Sequence, residues 1–352
     1  MNADCMKAVT FAEHGGVEVL QYRDDIPIPK PGPNEALIRI QAAALNYNVL
    51  WARKGLPGMD FIFPHINGTD GGGVVEEIGS EVTTVKVGDE VVVNGAFSCG
   101  DCVECVRGEP MFCPNFLIWG FQTGPNKGAE AQYAVVPARN CIQKPANIPM
   151  GEVVAIGGVL CTVWRMLITR SKMQAGDYVL IWGATGGLGT AAIQLCKVFG
   201  AIPIAIAGSD EKCQFAADLG ADHVINRNKQ RIAREVLKIT NKRGVDIVLE
   251  HSGADTWETS THCLKWGGTI VTCGATTGFK APMDIRFLWN KQQNYLGSHF
   301  GSMAEEVAAL KFVESGQIKG IISETLPLSE IRRGHELLES GDIFGKIVMV
   351  PE

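Results

Sequence analysis

Short runs of aliphatic and β-branched residues, punctuated by Gly, Pro and Asp, dominate the first 150 positions. "EALIRIQAA" (35–43), "GGVVEEIG" (72–79) and "DEVVVNG" (89–95) predict strands. "PIPKPGPNE" (27–35) is a connector, because proline cannot continue a helix. Beyond residue 150 the pattern changes. "DYVLIWG" (177–183), "IPIAIAG" (202–208), "HVIN" (223–226), "VDIVLEHSG" (245–253) and "GGTIVTCG" (267–274) are near-continuous apolar runs. "LGTAAIQLCKVFG" (188–200) and "DEKCQFAADLGA" (210–221) lie between the first of them and have helical spacing with a Gly near the end. Apolar strands alternating with helices predict an α/β fold, a doubly wound parallel sheet covered on both faces. The tail, "AEEVAALKFVESGQ" (304–317), "SEIRRGHELLESG" (329–341) and "GKIVMVPE" (345–352), predicts two helices and a strand that return to the first domain. The expected domains are 1–150 with 300–352, and 151–299.

The chain has 352 residues, enough for two cores. Its 46% hydrophobic and 20% charged residues fit a soluble globular protein. A net charge of −6 argues against a nucleic-acid or membrane-surface partner. The start, "MNADCMKAVTFAEHGG", has no basic stretch leading into an apolar one, so no signal peptide is expected. The run "VVAIGGVLCTVW" (153–164) is too short to span a bilayer and is followed by Arg165. Eleven cysteines, seven of them scattered singly, suit a reducing cytoplasm better than a disulfide framework. No internal repeat is apparent.

"LIWGATGGLGTAA" (180–192) places Gly183, Gly186, Gly187 and Gly189, with Thr185 and Leu188 among them, between a strand and a helix. Residues without Cβ let the backbone approach a pyrophosphate, and the helix start supplies N–H donors. The alternative is a tight turn with no ligand. An acidic residue would close the next strand in an NAD site, but Ala207 stands there. Ser209 can donate to a 2′-phosphate and Lys212 can reach it, which favours NADPH. Asp210 and Glu211 are expected to face solvent, and Lys212 read alone is an ordinary helix residue.

"CGDCVECVRGEPMFC" (99–113) spaces Cys99, Cys102, Cys105 and Cys113 for a tetrahedral thiolate shell around one zinc per chain. Four thiolates leave no open position for water or substrate, so this metal would be structural.

The β-rich front, the four-cysteine lobe, the glycine-rich centre and the "FGKIVM" end resemble the medium-chain dehydrogenase/reductase superfamily over nearly the whole chain. The resemblance implies a GroES-like domain carrying the zinc lobe and a Rossmann domain. Zinc alcohol dehydrogenases of this superfamily hold a second, catalytic zinc. The matching positions here are Asn46 in "ALNYNV", Thr69 in "GTDGGG" and Gly158 in "IGGVLCT", with Cys161 three residues out of register. Thr and Gly offer no useful zinc ligand, so a metal-activated alcohol is not expected. Hydride transfer without a metal suits an alkene conjugated to a carbonyl, whose enolate neutral donors can stabilise.

"NYNVLWARKG" (46–55), "HINGTDGGGVV" (65–75), "EPMFCPNFLIWGFQT" (109–123), "LEHSGADTW" (249–257) and "IRFLWNKQQNYLGSHF" (285–300) are similar to the crotonyl-CoA carboxylase/reductase branch. That branch reduces short 2-enoyl-CoA esters with NADPH and can trap the enolate with CO2. By position, the resemblance implies a pocket of Asn46 (or Asn48), Phe121, Gln122 and His299. Gln122 departs from a Glu in the carboxylating enzymes, which favours simple reduction, as in an acryloyl-CoA or crotonyl-CoA reductase. The four-cysteine lobe is a second departure. A quinone or enone reductase, an alcohol dehydrogenase-like enzyme and a non-catalytic NADPH-binding protein remain alternatives. Arg53, Lys54, Arg286 and Lys291 are candidate CoA contacts. His299 and Asn46 have bland readings as a core histidine and a turn residue. Trp119 and Trp289 read as packing, His65 and Asp70 as loop structure, and His251 as a strand-end cap. The expected protein is a cytoplasmic homo-oligomer, a dimer or tetramer.

Overall fold

The computed structural model describes residues 4–124 and 127–352. Residues 1–3, the head of the stretch read above for a leader, lie outside it. The chain divides into two compact units, Met1–Gly158 with Gly301–Glu352, and Val159–Phe300.

Among the described residues, the second unit holds a six-stranded sheet in the order His223–Asn226, Ile202–Ala207, Tyr178–Ile181, Val245–Glu250, Leu264–Thr272, Asn294–Gly297. Every pairing in it is parallel. In sequence order this is 3-2-1-4-5-6, the doubly wound arrangement. Right-handed crossovers cover both faces with helices, so the central strands must be apolar throughout. Leu180, Ile204, Ile206, Val248 and Ile270 are accordingly at most 1% exposed. The order reverses between Tyr178–Ile181 and Val245–Glu250, and ligands bind outside the carboxyl ends of strands at such a point.

In the first unit, strands run Ile322–Pro327, Lys346–Val350, Glu35–Ala44, Asp70–Ile78, Glu90–Val93, Cys141–Gln143, with Tyr133–Pro137 also on Glu35–Ala44. The strand Lys346–Val350 joins antiparallel to Glu35–Ala44, which brings the tail beside the early strands. Val348 and Asp70 are both register partners of Ala44. One end of three adjacent strands therefore gathers Lys346, Asp70 and the segment after Ala44. The helix Tyr47–Lys54 starts there and is held to Ile331–Ser340 by a buried cluster. Arg53, 1% exposed, pairs with Glu339 and lies 3.3 Å from His335 Nδ1. Burial and the neighbouring guanidinium push His335 down to about 3, so it is neutral.

The apolar run at 153–164 belongs to a longer helix than its sequence suggested. Met150–Trp164 continues as a π-helical turn, Arg165–Arg170. The combined helix is long and apolar enough to cross a membrane, but 72% of its apolar window is buried within the protein. A buried helix is apolar all round for the same reason a spanning one is.

Glu130 is fully buried in the first unit, and neither carboxylate oxygen has a hydrogen-bond partner. Burial raises it to about 8. A pKa higher in the folded state than in the unfolded one stabilises the fold at low pH, and that contribution falls away as pH rises toward 8. Glu130→Gln should therefore melt above the wild type at pH 8, with the gap closing toward pH 5. Melting temperatures across that range check it, and a gap independent of pH would contradict the assignment.

Candidate functional site

In the second unit the glycine-rich turn lies at the reversal of strand order. Gly183 has a φ of +55°, in the left-handed region that disfavours a side chain. A Cβ there would also lie 2.8 Å from the His251 ring. Gly186 caps the helix Gly187–Val198 with extended backbone and no side-chain bond. The first-turn N–H groups are thereby left for an anion. A Cβ on Gly189 would lie 2.4 Å from the Gly183 carbonyl oxygen, so only glycine lets helix and turn pack this closely. Thr185 is buried and Leu188 half-buried within the turn. The fit to a dinucleotide pyrophosphate therefore rests on three separate glycine positions.

His251 does more than end a strand. Its Nε2 lies 3.0 Å from the Trp182 carbonyl. Beneath it, fully buried Glu250 accepts from the backbone N–H groups of His251, Ser252 and Gly253 and from the Thr256 and Ser260 hydroxyls. Ser260 in turn accepts from Trp182 Nε1 at 2.8 Å. This carboxylate clamps the ends of the two strands that flank the turn.

At the end of the next strand, Ser209 accepts from the Lys212 backbone N–H as helix cap. Lys212 is half-buried in that first helical turn. Asp210 faces solvent as expected, and it also pairs with Lys229 and accepts from Asn226 Nδ2 at 2.7 Å. Its charge is thereby offset. Sequence reading missed Arg227. Ala207 and Asn226 are register partners, so residues 208 and 227 emerge side by side. The exposed Arg227 guanidinium would lie 3.6 Å from a Cβ on Gly208. The parallel register of the two strands, which sequence does not state, is what places it. Ser209, Lys212 and Arg227 together can hold a 2′-phosphate, with the arginine fork suited to bidentate contact.

In the first unit, Asn46 precedes the helix Tyr47–Lys54 but makes no capping bond with its side chain. The amide instead donates from Nδ2 to Thr69 Oγ1 at 3.0 Å and accepts at Oδ1 from Lys346 Nζ. Lys346 also lies 3.4 Å from Asp70 Oδ2. Lys346 and Asp70 are both under 5% exposed. A Cβ on Gly158 would fall 2.2 Å from Asp70 Oδ1, so Gly158 makes room for this carboxylate. Asn46, Thr69 and Gly158, the three positions matched to catalytic-zinc ligands, thus surround a protein ammonium and its counter-ion. The donor set fits that ion pair and not a second zinc. Asp70, expected as loop structure, instead opens the strand Asp70–Ile78 and is buried in this ion pair. Asn48 shares none of these bonds, and its buried Oδ1 has no partner.

Phe121 is buried edge-on to Phe61, with centroids 5.6 Å apart. Gln122 Oε1 accepts from the Ile118 backbone N–H at 2.9 Å, so its acceptor serves its own loop. His65 Nε2 lies 3.1 Å from the Gly120 carbonyl, steadying the same loop. Trp119 is completely buried, as packing demands, whereas Trp289 is 69% exposed and packs little within the chain. His299, in the second unit, is exposed at its surface, although desolvation by the protein around it lowers its pKa. Of the candidate CoA contacts, Arg53 is ruled out by its burial against Glu339. Lys54 pairs with Glu339 and Arg286 with Asp284. Lys291 lies over the Phe287 ring.

The four cysteine sulfurs lie within 4.8 Å of one another. Cys99 Sγ is 3.5 Å from Cys113 Sγ and 3.9 Å from Cys105 Sγ, too far for disulfides. A tetrahedron with metal–sulfur bonds of about 2.3 Å has edges near 3.8 Å. Backbone N–H groups of Cys99, Gly100 and Cys102 each point at a sulfur from 3.4 Å and favour thiolates. The residues fit a tetrahedral zinc.

Comparison with known proteins agrees with this architecture. Residues 32–146 match the alcohol dehydrogenase GroES-like domain and residues 187–315 the zinc-binding dehydrogenase domain. The crotonyl-CoA carboxylase/reductase of Cereibacter sphaeroides is 33% identical over 93% of this chain and 83% of its own length. The chain belongs to the medium-chain dehydrogenase/reductase superfamily. Within that superfamily, a solved NAD-dependent alcohol dehydrogenase superposes with a TM-score of 0.93, at 38% identity, over 98% of this chain and 99% of that one. The crotonyl-CoA carboxylase/reductase AntE in complex with NADP gives 0.90 at 30% identity, over 99% and 95%. The protein is an oxidoreductase of this family, with a GroES-like and a Rossmann domain and a cysteine cluster able to hold zinc.

Arg227→Ala and Lys212→Ala should each weaken NADPH binding about tenfold while leaving NADH within about twofold, the size of one charge-assisted hydrogen bond. Fluorescence titration with both dinucleotides checks this. Equal losses for the two would remove these side chains from a 2′-phosphate site.

Proposed function

We propose that the protein reduces the C2=C3 bond of a short-chain 2-enoyl-CoA, such as acryloyl-CoA or crotonyl-CoA, with NADPH and mainly without carboxylation. The observation that carries this reading is the Lys346–Asp70 pair where an alcohol dehydrogenase would bind its catalytic zinc. Thr69 and Gly158 give a zinc no useful ligand there, and the Asp70 carboxylate is already engaged by Lys346, so a Lewis acid that would activate an alcohol is not expected. A conjugated thioester needs none, since the charge it develops is met by hydrogen-bond donors. The similarity to crotonyl-CoA carboxylase/reductases supports the substrate class.

Bound NADPH would supply the hydride. The glycine-rich turn and the helix start after Gly186 bind its pyrophosphate, and Ser209, Lys212 and Arg227 its 2′-phosphate. Asn46 donates toward the thioester oxygen as charge collects there. Either Asn46 or His299 holds the water or side chain that protonates the α-carbon. Phe121 keeps water from the reacting carbons. Gln122 is uncharged and spends its oxygen on Ile118, so it cannot stabilise an imidazolium as a carboxylate would. One zinc holds the lobe of Cys99, Cys102, Cys105 and Cys113. The chain reads as cytoplasmic, with all eleven cysteines free. It also reads as a homo-oligomer. Asn294–Gly297 is the outer strand of its sheet, and Ile285, Leu288 and Trp289 just before it are exposed.

An alcohol dehydrogenase is the second reading, favoured by the 38% identity to a solved NAD-dependent one. Metal content separates the two. Purified protein should carry about one zinc per chain, and Cys102→Ser should lose it and melt lower. Two zincs per chain would favour the alcohol dehydrogenase.

The direct test is NADPH oxidation with acryloyl-CoA, crotonyl-CoA and a quinone, followed by analysis of the acyl-CoA products under saturating bicarbonate. The wild type should give almost only the protonated product, and Gln122→Glu should raise the carboxylated fraction. Mostly carboxylated product from the wild type would overturn the role given to position 122.

A further inference from the structure

Lys346 opens the last strand of the first unit with its side chain sealed inside, 4% exposed. Burial lowers its pKa, and Asp70 opposes that shift. A buried ion pair contributes little net stability compared with apolar residues of the same size. The helix at Asn46 also forgoes the cap that an asparagine there would normally provide. Stability alone therefore does not account for the arrangement.

Its effect on Asn46 is specific. An ammonium only donates, so the amide atom facing Lys346 must be the oxygen. The amide nitrogen is then turned toward Thr69 Oγ1. The Thr69 oxygen accepts that bond, and its hydroxyl proton must leave in another direction. Without the ammonium, the amide could flip and offer an acceptor in place of a donor. Neighbouring charges leave this logic intact. Asp70 Oδ2 faces Lys346, while Asp70 Oδ1, against Gly158, has no partner. Glu306, on the helix Met303–Glu314, places Oε1 3.0 Å from a Cβ on Gly157 and accepts at Oε2 from Asn94 at 2.6 Å. Burial pushes Glu306 to about 8, so it adds no second negative charge at neutral pH. Consecutive glycines in one helix thus admit one charged and one neutral carboxyl, and a single ammonium balances the charged one.

We propose that Lys346, locked by Asp70, is a positioning residue that fixes the Asn46 amide as a hydrogen-bond donor on the substrate side. This rests on the reduction proposed above, in which Asn46 meets the oxygen where charge collects. The ammonium never touches substrate and acts only through the amide it orients.

The experiment begins by finding which acceptor the wild type reduces, crotonyl-CoA or a quinone, and every variant is then assayed with that acceptor. Reduction of the quinone alone would overturn the substrate reading and leave the positioning role testable, because a quinone oxygen also gathers charge. Asn46→Asp keeps the bond from Lys346 but donates nothing. Lys346→Met with Asp70→Asn removes both charges together, so neither is left buried alone. Each change should lower kcat about ten- to a hundredfold, the size of one charge-assisted hydrogen bond. KM and NADPH affinity should stay within about twofold, because the interaction is made chiefly in the transition state. Combining all three substitutions should cost no more than the worse of the two sets, because both remove the same donor. Losses that multiply would overturn the proposal. So would full kcat in Asn46→Asp, or in the folded Lys346→Met/Asp70→Asn protein.

Discussion

The ion pair between Lys346 and Asp70 joins the ends of three strands that are far apart in sequence. Lys346 opens one, Asp70 opens another, and Asn46 follows the strand between them. Two charges under 5% exposed tolerate little misplacement, because each needs the other where water cannot reach. The register of Glu35–Ala44 against both neighbours is therefore tied to the chemistry of the site. Gly158 belongs to the same constraint, since any side chain there would strike Asp70.

A second carboxylate organises the other unit by the opposite means. Glu250 is met by hydrogen-bond donors, three of them consecutive backbone N–H groups. A fully hydrogen-bonded carboxylate can remain buried without a counter-ion. Through Ser260 and Trp182 on one side and His251 on the other, it holds the two strand ends that shape the glycine-rich turn. Glu130 lacks both solutions, with neither cation nor donor, and is held protonated instead.

Much was legible in the linear chain. Apolar strands alternating with helices, broken at glycines, announced a parallel doubly wound sheet, because burial on both faces leaves an unambiguous pattern. The cysteine spacing announced a metal lobe because all four ligands lie within one short segment. The glycine-rich turn was legible for the same local reason. The misreadings fell where a side chain's partner is remote. Arg53 read as a candidate CoA contact and is buried against Glu339, while Trp289 read as packing and is exposed. The apolar run at 153–164 looked too short because its helix continues through charged Arg165.

By itself, then, the sequence determined whatever depends on neighbours along the chain: strand and helix texture, the turn's freedom from Cβ, the thiolate shell, and the lack of zinc-ligating residue types at 46, 69 and 158. What fills the space between those three positions was decided only by the tertiary structure. Lys346 is 300 residues from Asn46 and 276 from Asp70. No periodicity or motif couples residues so distant. The antiparallel return of the last strand brings the ammonium to the carboxylate, and burial then obliges the two to pair.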